Sequence, residues 1–112
     1  MLEVSTRENQ NATIVSITGD VDLYSSPEVR KVLISLTEKK TKNILVDLSR
    51  VSYMDSSGVA TLVEGLQLMG KYKGKLILFG LEASVKEVFE LSRLDKVFEI
   101  YPDESSALEH LA

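Results

Sequence analysis

Apolar residues along the chain follow two rhythms, and the switches between them mark its elements. Leu2-Glu3-Val4-Ser5-Thr6 alternates with period two, and Thr13 to Thr18 is rich in β-branched residues. Glu8-Asn9-Gln10-Asn11 between them reads as a turn, so the chain opens with a predicted hairpin. Gly19 ends the second strand, and Asp20 to Tyr24 form a loop. Val29, Val32, Leu33 and Leu36 then recur at helical spacing. The start of that helix is marked either by a capping box, Ser25-x-x-Glu28, or by a Ser26 cap with Pro27 at the first helical position. Ile44-Leu45-Val46-Asp47-Leu48 is an almost continuous apolar run, as expected of a strand covered on both faces. A second helix follows Asp55-Ser56-Ser57-Gly58, places Val59, Leu62, Val63, Leu66 and Met69 on its inner face, and stops at Gly74. Leu76 to Phe79 form another buried strand, ended by Gly80. Val85, Val88 and Phe89 mark a third helix opened by a capping box, Ser84-x-x-Glu87. Val97 to Tyr101 give a last short strand, and Pro102-Asp103 opens a terminal helix with Ala107, Leu108 and Leu111.

The order β-β-α-β-α-β-α-β-α predicts an α/β fold with a mixed, mostly parallel sheet, an N-terminal hairpin at its edge and about four helices joined by right-handed crossovers. Neither a linker nor a repeat interrupts it, so residues 1–112 are expected to form a single domain. In such sheets functional loops gather outside the carboxyl ends of the strands. Two loops are expected there, Asp20–Ser26 and Ser49–Gly58.

Composition removes several classes of function. The chain has 112 residues, a net charge of −4 and no cysteine, which excludes disulfides, thiolate zinc sites and cysteine nucleophiles. The single histidine, His110, leaves a histidine-based metal site without ligands. No apolar run approaches the roughly 20 residues of a membrane span, so no direct membrane insertion is expected. Mild acidity argues against a nucleic-acid partner. Neither a Gly-x-Gly-x-x-Gly nor a Gly-x-x-x-x-Gly-Lys-Ser/Thr phosphate loop is present, and no cofactor is called for. The expectation is a soluble, cytoplasmic domain that is not an enzyme. Lys39, Lys40 and Lys42 read as a solvated helix end rather than a binding patch.

Asp55-Ser56-Ser57-Gly58 is the most informative stretch. Two hydroxyls stand at the mouth of a helix, where up to four backbone N–H groups lack intrahelical partners. In the plain reading Asp55 or Ser56 is the N-cap, Ser56 being the better placed, and Ser57 is a first-turn residue. In the sharper reading Ser57 is a phosphorylation site that Gly58 leaves unshadowed. A phosphate there adds about −1.5 to −2 charges beside the positive helix end, so its effect falls on a docked partner rather than on its own helix. Asp20 and Asp22 are ordinary turn residues taken alone; their place at the same sheet edge as Ser57 raises a functional alternative. Tyr53 and Met54 are either core or an apolar rim. Asp55, Ser57 and His110 supply the residue types of a hydrolase triad, but the stretch is not the Gly-x-Ser-x-Gly elbow.

Gly19-Asp20-Val21-Asp22, Val46-Asp47-Leu48-Ser49 and Met54-Asp55-Ser56-Ser57-Gly58-Val59 resemble stretches of the STAS family, named for sulfate transporters and anti-sigma factor antagonists. Ser92-Arg93-Leu94-Asp95-Lys96-Val97-Phe98 resembles the family's C-terminal Leu-Ser-Gly-Leu-x-x-x-Phe stretch, and the likeness covers nearly the whole chain in order. The resemblance implies an anti-sigma factor antagonist. Such a domain binds an anti-sigma factor, a serine protein kinase of the GHKL type, and thereby frees a bacterial sigma factor. It also implies that Ser57 takes a phosphate that switches binding off, that a phosphatase reverses this, and that Asp22 matches the family's loop aspartate. The expected docking surface is Asp20, Asp22, Tyr24, Asp55, Ser56, Ser57 and Gly58. Glu64-Gly65-Leu66-Gln67 stands where sporulation-type antagonists carry Gly-Arg-Tyr-Lys, which weakens a sporulation assignment. The alternative is a STAS subunit docked, without phosphorylation, on the ATPase of a membrane lipid-transport system. Retention of the full Asp-Ser-Ser-Gly favours the switch.

Overall fold

The computed structural model describes residues 2–111. The strands are β1 (Glu3–Asn9), β2 (Ala12–Thr18), β3 (Asn43–Arg50), β4 (Lys75–Phe79) and β5 (Glu99–Tyr101). The helices are α1 (Ser26–Glu38), α2 (Ser56–Gly70), α3 (Ala83–Leu91) and α4 (Glu104–Leu111). The strands lie side by side in chain order, β1 antiparallel to β2 and every later pair parallel. This is the predicted architecture.

Because the order never reverses, right-handed crossovers place α1, α2 and α3 on one face of the sheet. There Val15, Ile17, Ile44, Val46, Leu48 and Leu78 meet Val29, Leu33, Leu62, Met69 and Phe89 in one buried cluster. Alternate residues of the same strands (Ile14, Leu45, Ile77 and Phe79) pack on the opposite face against Ala107 and Leu108 of α4. Both faces of β3 and β4 are thus covered, which explains their almost continuous apolar runs. Polar contacts fasten α4: Glu104 accepts from Arg7 and from Asn9 Nδ2 (2.6 Å), and His110 Nε2 lies 2.6 Å from Glu99 Oε1.

Several boundaries depart from the sequence reading, each for a local reason. β1 runs on to Asn9, so the hairpin turn narrows to Gln10-Asn11, with Gln10 at φ 57°. Helix α2 ends at Gly70 rather than Gly74, and the chain turns through Lys73 at φ 63° while Gly74 N–H donates to Met69 O at 2.8 Å. Neither predicted Ser-x-x-Glu capping box forms. Ser25 precedes α1 without capping it, and Pro27 is the second helical residue rather than the first. Glu82, not a serine, precedes α3, and the Ser84 hydroxyl donates instead to Ser52 O at 3.1 Å. β5 is shorter than predicted because Leu94–Lys96 form a 3-10 turn. That turn leaves Val97 exposed and drives Phe98 inward, edge-on to Phe89 at 5.5 Å.

Candidate functional site

The loops after β2 and β3 are joined by backbone. Gly19 N–H donates to Arg50 O (3.1 Å), Val21 N–H to Tyr53 O (3.0 Å), and Asp55 N–H to Val21 O (3.1 Å). Val21 and Met54 form a parallel bridge, and both are buried. Of the two residues that could be core or rim, the bridge sends Met54 into the core and leaves Tyr53 52% exposed. Across the same seam the Ser52 hydroxyl donates to Asp20 Oδ1 at 3.1 Å.

In the first loop the Asp22 carboxylate builds its own turn. Asp22 Oδ1 accepts from the N–H groups of Tyr24 and Ser25, both at 2.9 Å, and lies 3.1 Å from the Ser25 hydroxyl. Ser25 Oγ in turn accepts from Asp22 N–H at 2.9 Å and lies 2.7 Å from Asp20 O. This is why Ser25 is unavailable to cap α1. The Ser25 N–H, foremost among these donors, holds the Asp22 carboxyl below the usual carboxylate range. The turn throws Leu23 and Tyr24 outward, 65% and 90% exposed. Tyr24 was expected on this surface from the sequence. Leu23 was not, since one leucine among loop residues carries no periodic signal.

In the second loop Asp55, not Ser56, is the N-cap of α2. Its extended backbone (φ −102°, ψ −171°) turns Oδ1 onto the N–H groups of Ser57 at 2.9 Å and Gly58 at 3.3 Å. Ser56 is the first helical residue, exposed beside a shallow groove of about 430 Å³ lined by Val59, Val63 and Val88. Ser57 gives the cap its backbone N–H rather than its hydroxyl, and is half-buried. Gly58 has a packing reason of its own. A Cβ there would stand 2.7 Å from Met54 Cγ and 2.8 Å from Val21 Cγ1, so the glycine lets α2 approach the bridged loops.

One pole of the molecule, outside the carboxyl ends of β2 and β3, therefore unites Asp20, Asp22, Tyr24, Asp55, Ser56, Ser57 and Gly58, with Gly58 buried beneath the rest. A hydrolase triad does not assemble there. The Asp55 Oδ1 serves the helix cap, and His110 engages Glu99 and lies tilted on the Tyr101 ring at 5.3 Å. No helix among the described residues is long and apolar enough to cross a membrane.

The STAS domain model matches residues 3–107. The chain belongs to the STAS domain family. The anti-sigma-B factor antagonist of Bacillus subtilis is 31% identical to this STAS domain over 99 residues, covering 88% of this chain and 90% of that protein. Solved structures of similar fold include an anti-sigma factor antagonist from Mycobacterium paratuberculosis. It has a TM-score of 0.91 at 22% identity, over 98% of this chain and 93% of that one. A further one is the Bacillus cell fate determinant SpoIIAA in its phosphorylated form. Its TM-score is 0.77 at 19% identity, over 98% of this chain and all (100%) of that one. Where sporulation-type antagonists were expected to differ, Glu64 of this STAS domain receives Arg30 of α1 through two hydrogen bonds at 2.7 and 2.8 Å, and Gly65 abuts Leu33. Those two positions tie α1 to α2.

Proposed function

We propose that this STAS domain is an anti-sigma factor antagonist of the cytoplasm, a binding module rather than an enzyme, switched off by phosphorylation of Ser57. The observation that carries the reading is the Asp55-capped first turn of α2 beside the Asp22 loop. It places a serine on a rigid helix end among exposed side chains of a second loop. The names of the B. subtilis and M. paratuberculosis proteins, and the phosphorylated state of SpoIIAA, support it. The partner is an anti-sigma factor that is also a serine kinase of the GHKL type, and a phosphatase restores the binding form. The whole chain acts as one domain.

The switch acts at the interface. A phosphate on the first turn of α2 interacts favourably with its own helix by a few tenths to about 1 kcal/mol. Against a docked partner the added charge is either desolvated or set beside a like charge, at a cost of several kcal/mol. The second effect is larger. Ser57→Asp should therefore keep the native spectrum and melting temperature while weakening the complex at least about tenfold, or 1.4 kcal/mol. The test incubates the protein with ATP and the kinase that co-purifies with it, maps the phosphate by mass spectrometry, and measures affinity by calorimetry. Phosphate on Ser57 and its loss in Ser57→Ala are expected. Robust phosphorylation at Ser56, or unchanged affinity of the phosphorylated protein, refutes the switch. Co-purification of a transporter ATPase in place of a kinase points to the lipid-transport alternative.

A further inference from the structure

At the end of the sheet opposite Ser57, two segments distant in sequence form one basic surface. Residues 38–43 and 70–75 contain Lys39, Lys40, Lys42, Lys71, Lys73 and Lys75 against a single carboxylate, Glu38. The rest of a chain whose net charge is −4 is therefore strongly acidic. The segments are stitched together: Asn43 pairs with Lys75 in the β3–β4 register. Lys75 N–H donates to Lys42 O at 2.8 Å, and the Tyr72 hydroxyl donates to Thr41 O at 2.8 Å. All six lysines are exposed, and among the described residues none forms an ion pair. β3 and β4 begin at this pole and end at the Ser57 pole, about 25 Å away by the length of an eight-residue strand.

Ordinary helix termination explains part of this, since cations favour the carbonyl end of a helix. It does not explain which residues sit at the tightest positions. Both α1 and α2 finish in the same motif. Thr41 N–H reaches back to Leu36 O (3.1 Å) and Lys40 N–H to Thr37 O (3.0 Å); Gly74 N–H reaches Met69 O (2.8 Å) and Lys73 N–H reaches Gly70 O (3.4 Å). The left-handed residue of each motif is where glycine fits without steric cost. Here both are lysine, Lys40 at φ 56° and Lys73 at φ 63°. Termination alone is better served by glycine at both positions, as it is at Arg93 after α3, yet here the two residues add charge to a single surface.

We infer that this lysine pole is an electrostatic docking surface for an anionic phospholipid membrane. Three features favour a lipid surface over an acidic protein. The charge is spread across two helix ends and a strand start rather than gathered in one cleft, Lys39 alone of the six bordering the groove between β1 and α1 that Val4, Val32 and Leu36 line. The exposed large apolar residues, Leu23, Tyr24, Tyr53, Leu91 and Val97, all lie outside these segments, whereas protein interfaces are anchored by buried aromatic or apolar side chains. The six lysines also match the four to eight basic residues of clusters that read as anionic-leaflet binding, each lysine near the surface contributing about fivefold in partition (about 1 kcal/mol). With the lysines against the lipid, the Ser57 pole faces away from the membrane, free for a protein partner.

The test is co-sedimentation of the full chain with vesicles of phosphatidylcholine alone, or of equal parts phosphatidylcholine and phosphatidylglycerol, at low ionic strength. Sedimentation with the anionic vesicles only, abolished as salt shortens the Debye length from about 10 Å towards 3 Å, is expected. Lys40→Gly/Lys73→Gly should lower the partition coefficient about 25-fold while raising the melting temperature, so that lost binding is not lost folding. Lys86→Gln/Lys96→Gln, which removes the same charge elsewhere, should change it less than about threefold. Equal sedimentation with both vesicles, or unchanged partition in Lys40→Gly/Lys73→Gly, overturns the inference. So does single-stranded RNA bound with the same lysine dependence when the vesicles are not.

Discussion

Helix α2 contains three glycines whose surroundings differ enough to order the effects of one substitution, glycine to alanine. At Gly58 the new Cβ falls 2.7 Å from Met54 Cγ, 2.8 Å from Val21 Cγ1 and 3.1 Å from Val21 O. Carbon atoms pack best at about 3.5–4.0 Å, so neighbours must retreat by close to 1 Å. They are poorly able to, because Val21 and Met54 are buried and joined by the bridge between the two loops. Overpacking of this kind costs about 1–3 kcal/mol, and the propensity gain of alanine, at most about 1 kcal/mol, is smaller in a first turn. Gly58→Ala should lose about 1–2 kcal/mol net. At Gly65 the Cβ meets the flexible end of Leu33 at 3.3 Å, so propensity and crowding nearly cancel. At Gly70, the last residue of α2, nothing lies within 4 Å, and alanine should stabilise by about 0.3–0.5 kcal/mol, less than in a helix interior. Urea unfolding of the three variants, with unchanged m-values, measures this directly. Gly58→Ala at or above wild-type stability, or any order other than Gly70→Ala above Gly65→Ala above Gly58→Ala, would refute the claim that Gly58 sets how closely α2 approaches the loops.

The observed cap predicts that Asp55→Ala costs about 1 kcal/mol in urea unfolding, whereas Ser56→Ala changes stability by less than about half that. Arg93 occupies a left-handed backbone conformation at φ 62° after α3, so Arg93→Gly should raise stability by about 0.5–1 kcal/mol, visible as a higher melting temperature. The hydrogen bond from Arg7 holds the Glu104 carboxyl below its ordinary 4.5, against the opposing effect of burial. A carboxyl depressed in the folded state stabilises above its unfolded pKa, and that stability fades as pH falls through the lower folded value. Wild type should therefore lose more stability than Glu104→Gln between about pH 5 and pH 3, measured by urea midpoints across that range.

What was legible in the sequence was whatever repeats locally. Ile44–Leu48 and Leu76–Phe79 announce central strands because burial on both faces leaves Asp47 as the one polar residue in either run. The stripe from Val59 to Met69 announces α2 for the corresponding helical reason. The cap of α2 was misread as Ser56 because aspartate and serine cap about equally well; Asp55 is favoured by its N–H donating to Val21 O, a residue distant in sequence. Ser25 and Ser84 failed as caps for the same reason, their hydroxyls being engaged by Asp22 and Ser52. The site was half visible. Asp22 and Ser57 stood out by type, but that Asp22 chiefly shapes its own loop, and that Gly58 is a spacer, follow only from how the two loops meet. The basic pole was hidden because its lysines lie in two segments, each of which alone looks like a solvated helix end.

If Ser57 is phosphorylated as proposed, the backbone seam between the Val21 and Met54 loops constrains how the kinase meets it. A kinase that reads flanking side chains in linear order would need the serine in an extended segment. Here the residues before Ser57 are zipped to another loop, those after it are wound into α2, and Gly58 is wedged against both neighbours. Extending the serine would break the seam, the helix cap and part of the core together. An enzyme that phosphorylates it must come to a folded surface and recognise a shape assembled from two loops, so its specificity would not be written in the linear sequence around the serine.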